Sequence, residues 1–88
     1  MDNISKTVMK AINILEIFLK SDSTLSLKEI SKLTELNVTT AYRLISTLTK
    51  RGFLTHLEKS GMYALGLKTL DFSYALRRDL KFIDFAYV

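Results

Sequence analysis

Nothing in the first 51 residues interrupts a helix: the chain has no proline, and its three glycines fall at 52, 61 and 66. Proline breaks a helix by lacking an N–H and clashing with the preceding turn, and glycine weakens one through its backbone entropy. Before Gly52 the chain is therefore free to be helical, and capping residues rather than breakers must divide it. After Gly52 the hydrophobic period shortens, and the glycines mark turns. With 88 residues, there is room for one small domain.

The first helix is predicted over 5–20, where Val8, Ala11, Ile12, Leu15, Phe18 and Leu19 recur at helical spacing and Ser5 can cap the start. The polar stretch Ser21-Asp22-Ser23-Thr24 ends it. A second helix opens at Ser26-Leu27-Lys28-Glu29, a capping box in which Glu29 reaches back to the serine amide. Ile30 and Leu33 form its core face, and it should stop near Thr34 or Glu35. Asn37 caps a third helix over 38–50, with Val38, Ala41, Leu44, Ile45 and Leu48 on one side. Lys50, Arg51 and Gly52 close it, because cations suit the negative helix end and glycine tolerates a left-handed residue. Phe53 to Leu57 and Met62 to Leu65 then read as two strands joined by Glu58-Lys59-Ser60-Gly61, a β-hairpin. A helical pattern returns over 67–78 through Leu67, Leu70, Tyr74, Ala75 and Leu76. The last stretch, 80–88, gathers Phe82, Phe85 and Tyr87.

Composition removes most chemistry. There is no cysteine and a single histidine, His56, so disulfides, thiolate metal sites, histidine cages and His-paired nucleophiles have nothing to build on. No metal or other cofactor is expected, and His56 is expected to be a solvent-facing strand residue. Met9 and Met62 read as gap-filling apolar residues. No apolar run approaches the roughly 18 residues that span a membrane. The N-terminus mixes charges with apolar residues and lacks the pattern of a signal peptide, which points to an intracellular protein.

Two short helices joined by a tight turn and followed by a hairpin describe a winged helix-turn-helix, mainly α with a small β-hairpin. Ile30, Leu36, Ala41 and Leu44 stand where such a unit fastens its two helices together, and Ser31 is small enough to let them cross closely. The second helix of the unit is the one that enters the major groove of DNA. On a helical wheel its outer face centres on Thr39, Arg43, Ser46 and Lys50, flanked by Thr40, Tyr42 and Thr47. No Asp or Glu occurs between Leu36 and Leu57, although the whole chain has nine acids against thirteen Lys and Arg. A face built for water mixes signs. A face built for DNA keeps its cations for phosphates and its hydroxyls for base edges and backbone oxygens. Lys28 and Lys32 on the second helix, and Lys59 with Ser60 at the wing tip, are further candidates for backbone contact.

These residues carry a resemblance. Lys10-Ala11-Ile12-Asn13-Ile14-Leu15, Leu27-Lys28-Glu29-Ile30, Thr40-Ala41-Tyr42-Arg43-Leu44-Ile45-Ser46-Thr47-Leu48, Gly52-Phe53-Leu54 and Tyr63-Ala64-Leu65-Gly66 together resemble the N-terminal DNA-binding domain of the IclR family of transcriptional regulators. The resemblance runs from about Ser5 to Leu76. One position departs from it: family members usually carry glycine in the helix-turn-helix turn, and this chain has Glu35. Either glutamate takes a left-handed backbone there, or the turn shifts, for instance onto Asn37.

The resemblance implies a cytoplasmic, non-enzymatic regulator that binds double-stranded operator DNA. It implies a winged helix-turn-helix over 1–66, with 67–88 as a linker helix and the start of an effector-binding domain absent from this chain. It also implies a homodimer through the linker helix, aided by the first helix, and a small-molecule effector only in the intact protein. Two rivals are a winged helix that meets proteins instead of DNA and a basic amphipathic membrane-surface protein. The first predicts an acid-rich outer face on the third helix. The second predicts one long helix with a broad lysine face. The sequence has neither.

Overall fold

The computed structural model describes residues 3–21 and 24–78. They form α1 (Lys6–Lys20), α2 (Leu27–Thr34), α3 (Val38–Lys50), β1 (Leu54–Leu57), β2 (Met62–Leu65) and α4 (Lys68–Arg78). The expectations for 22–23 and 79–88, including Phe82, Phe85 and Tyr87, lie outside the described residues.

Side chains start the first three helices as expected. The Ser5 hydroxyl accepts from the Val8 N–H at 3.2 Å, and the Asn37 side chain accepts from the Thr40 N–H at 2.8 Å. The capping box closes in both directions: Glu29 N–H donates to the Ser26 hydroxyl at 3.0 Å, and Ser26 N–H donates to the Glu29 carboxylate at 2.8 Å. Each bond satisfies an N–H that the first turn of a helix leaves without an intrahelical partner.

The hairpin is antiparallel, with Leu54 opposite Leu65 and Leu57 opposite Met62. Gly61, at φ 75°, completes its loop, where the Met62 N–H donates to the Ser60 hydroxyl at 3.2 Å. β1 begins one residue later than predicted. The Phe53 N–H is taken by the Leu48 carbonyl at 2.9 Å, which ends α3 and leaves Phe53 outside the ladder. Leu25 adds a pairing that no local pattern announces: it exchanges two backbone hydrogen bonds with Tyr63, at 2.9 and 2.7 Å, and ties the wing to the segment before α2.

The core is Ile14, Phe18, Leu25, Ile30, Ala41, Ile45, Leu54 and Tyr63, one cluster drawing on three helices, both strands and the Leu25 bridge. Complete burial of a side chain such as Ile14 or Ile45 stabilises by about 1.5–3 kcal/mol. Several expected core residues lie outside it. Val8, Ile12 and Leu19 of α1 are exposed, as are Leu33 of α2 and Val38 of α3. α1 rests on a small body along the Ile14–Phe18 line, so its apolar side is wider than the surface available to cover it. Leu33 and Val38 stand at the two ends of the α2–α3 turn, where the chain swings outward. Leu70, Tyr74 and Leu76 are exposed too, because α4 leaves the body and buries no residue.

α4 is held at its start. The Lys68 N–H donates to the Gly52 carbonyl at 3.0 Å, and the Phe72 ring stacks on Phe53 with centroids 5.6 Å apart. Gly66 makes that approach possible, since a methyl group on it would overlap the Gly52 carbonyl oxygen.

Candidate nucleic-acid interface

The turn that aims α3 has a defined hydrogen-bond pattern. Glu35 takes the left-handed conformation, φ 59° and ψ 29°, and is the only described residue other than glycine with a positive φ. Its N–H donates to the Lys32 carbonyl at 3.3 Å, and the Leu36 N–H donates to the Ser31 carbonyl at 3.1 Å. These are the two bonds of a Schellman ending, with glutamate at the position usually filled by glycine. The turn has not shifted. Leu36 packs against the core and Asn37 caps α3 two residues after Glu35.

α3 turns Ala41 and Ile45 inward, and this rotation sets its outer face. Thr39, Arg43, Ser46, Thr47 and Lys50 are all exposed, with Thr40 half-buried beside them. Tyr42 is 53% exposed, so most of its ring lies outside the core. Burial pushes the phenol of Tyr63 above its ordinary range, and the neighbouring Tyr42 adds to the rise. The Thr47 hydroxyl donates to the Arg43 carbonyl at 3.0 Å, so its proton is spent within the helix and its oxygen is left to accept. Lys28 lies in the first turn of α2 and Lys59 is exposed in the wing loop. His56 is exposed on β1, its ring 4.7 Å from that of Tyr63.

Charge is segregated around this helix. Among the described residues the one ion pair is Lys68 with Asp71, at 3.9 Å. Arg43, Lys50, Lys28 and Lys59 thus have no carboxylate partner among those residues. An open, mainly apolar groove of about 660 Å³ runs between α1 and α3, lined by Val8, Ile12, Leu15, Leu44 and Leu48, and Thr40, Arg43 and Thr47 also line it, opposite Thr7 and Lys10. Lys10 of α1 thus shares this groove with Arg43, although the sequence shows it only as part of a motif. Glu16 and Glu35 line a separate depression between the ends of α1 and α2, with Leu19 and Leu33. A rigid helix that presents cations and hydroxyls without neighbouring acids suits phosphate neutralisation and hydrogen bonding to base edges. Among the described residues no helix is long and apolar enough to cross a membrane.

Known proteins match both the sequence and the fold. The family model for the IclR helix-turn-helix domain matches residues 7–58. The chain is 42% identical over 72 residues to the HTH-type transcriptional regulator KipR of Bacillus subtilis, covering 82% of this chain and 28% of that protein. It is 32% identical over 68 residues to the HTH-type transcriptional regulator XynR of Escherichia coli, covering 77% of this chain and 27% of that protein. The fold matches the crystal structure of an IclR family transcriptional regulator from Brucella abortus with a TM-score of 0.80 at 30% identity, over 91% of this chain and 31% of the other. The chain thus spans under a third of the length of these relatives. The IclR helix-turn-helix model spans more than half of this chain, from α1 through the first strand of the wing, and the chain belongs to the IclR family.

Proposed function

We propose that this chain is the DNA-binding part of a transcriptional regulator and that α3 reads operator DNA in the major groove. The observation that carries this reading is the acid-free span from Leu36 to Leu57, on which α3 presents Thr39, Arg43, Ser46 and Lys50 on its outer face. Arg43 and Lys50, with Lys28 at the start of α2 and Lys59 in the wing, neutralise phosphates. Thr39, Thr40, Tyr42, Ser46 and Thr47 reach base edges and sugar-phosphate oxygens. Such a protein works beside the chromosome, in the cytoplasm.

In this reading 1–66 is the winged helix-turn-helix, and 67–88 is a linker helix with the start of an effector-binding domain. α4 and α1 pair two copies, so that two α3 helices meet half-sites about one helical turn apart on the duplex. The exposed Leu67, Leu70 and Tyr74 around α4 and Ile4, Val8 and Ile12 at the start of α1 supply the apolar surface for that pairing. An effector bound elsewhere in the intact protein would shift the balance between spacings that fit the operator and spacings that do not.

The test is fluorescence anisotropy of the chain with duplex DNA at several salt concentrations. Binding that weakens steeply with salt is the expected result. No binding at low salt, even with two copies joined by a fused coiled coil, would exclude the reading.

A further inference from the structure

We propose that Ser31 is a positioning residue for α3, and that its hydroxyl holds the α2–α3 turn against the left-handed backbone of Glu35; the inference rests on α3 being the DNA-contacting helix. Ser31 is 9% exposed, and its hydroxyl donates to the carbonyl of Leu36, five residues on. That carbonyl belongs to the peptide plane joining Leu36 to Asn37, and Asn37 is the cap from which α3 springs. The orientation of this plane sets the direction in which α3 leaves the turn. The hydroxyl therefore grips the last rigid unit before the helix.

The grip is needed because the turn is strained. A glutamate at φ 59° occupies a region that crowds its Cβ against the following carbonyl, and the Glu35 N–H is shared between the Lys32 carbonyl, at 3.3 Å, and the Ser31 carbonyl. A glycine would sit there without that crowding. With glutamate in place, the turn has an incentive to open, and opening would swing Leu36 and Asn37 together. The Ser31 hydroxyl and the Leu36 N–H close the same two residues from both sides, so opening costs two bonds instead of one. The simpler account of Ser31, a small side chain that lets two helices cross, makes alanine an equal substitute. The bond to Leu36 makes alanine a different residue, with the Leu36 carbonyl deprived of its donor.

The experiment is a double-mutant cycle in the 88-residue chain: Ser31→Ala, Glu35→Gly and the pair. Amide exchange at Leu36, Thr40 and Ile45 is followed by NMR, and affinity for a random duplex is measured by anisotropy. Ser31→Ala is expected to speed exchange at Leu36 and Thr40 about fivefold, the factor that one hydrogen bond carries, with a smaller change at Ile45. Affinity should fall by a similar factor with the salt slope unchanged, because every phosphate-binding cation is still in place. With Glu35→Gly present, both effects should shrink to less than about twofold. Alanine favours helix more than serine does, so weakened helix propensity would not explain a loss. Equal exchange in Ser31→Ala and the parent would overturn the proposal, and so would a Ser31→Ala effect of the same size with and without Glu35→Gly. A parent that binds no DNA would overturn the reading of α3, and the exchange cycle would still decide whether the hydroxyl holds the turn.

Discussion

Ser31 and Leu36 hold each other twice, once through the Leu36 N–H on the Ser31 carbonyl at 3.1 Å and once through the Ser31 hydroxyl on the Leu36 carbonyl. Glu35 lies inside that loop at φ 59°, in a conformation that costs a residue with a Cβ about 1 kcal/mol. Glu35→Gly is therefore expected to raise stability by up to about 1 kcal/mol, less whatever glycine gains in unfolded-state freedom. Thermal unfolding checks it, and a lower midpoint would mean that the glutamate side chain has a favourable interaction larger than its strain.

The glycines at 61 and 66 are expected to fail differently. Gly61 has φ 75° and open space around it, so Gly61→Ala carries only the conformational cost, about 1 kcal/mol. Gly66 faces the Gly52 carbonyl, and a methyl there must displace backbone, so Gly66→Ala should cost about 1–3 kcal/mol or more. Denaturant titration of the two variants should rank Gly66→Ala as the more destabilised.

Arg43→Ala and Lys50→Ala should each weaken DNA binding and flatten its dependence on log salt, by about 0.9 for every phosphate the parent side chain neutralises. Both side chains lie on the outer face of α3, so the fold should be unaffected. An anisotropy series in which both slopes equal that of the parent would remove α3 from the interface.

The Thr49 hydroxyl is buried and has no hydrogen-bond partner among the described residues. Valine has nearly the same shape without the polar group. Thr49→Val is expected to raise stability by about 1 kcal/mol, as measured by urea unfolding, because an unsatisfied hydroxyl is removed from the interior.

Tyr74 is 70% exposed on α4, away from the core. Tyr74→Glu should leave unfolding within about 0.5 kcal/mol of the parent, as surface changes generally do. Sedimentation should nonetheless move toward monomer if α4 pairs two copies. A variant that associates as strongly as the parent would place the dimer surface elsewhere.

The parts of the fold that are legible in the sequence are those set by bonds over three or four residues. Ser5, Ser26 with Glu29, and Asn37 begin their helices because each finds its partner within the first turn. Gly61 ends its hairpin loop for an equally local reason. What depends on distant residues is not legible. Leu25 pairs with Tyr63 from the far side of α2 and α3, and no pattern near either residue indicates it. A helical wheel shows the direction of the apolar side of α1 but not the width of the body beneath it. It therefore puts Val8, Ile12 and Leu19 inside and passes over Ile14, the residue that is fully buried. On α3, the wheel places the outer residues where the structure has them, with Thr40 sunk halfway into the body. It cannot bring in Lys10, which reaches the same groove from another helix. Glu35 stands out in the sequence as an exception, while the serine that faces it across the turn is legible only by its size.

α4 has a mechanical consequence. It is fastened at one end, by the Lys68–Gly52 backbone bond and the Phe53–Phe72 stack, and it buries nothing along the rest of its 11 residues. A helix of that length is a rod of about 16 Å, so a swivel of about 10° at its foot carries its tip through about 3 Å. The gearing also runs in reverse: a small displacement imposed at the tip is delivered to the foot as torque on Gly52 and Phe53, the two residues that directly follow the last turn of α3 and its Arg51 cap.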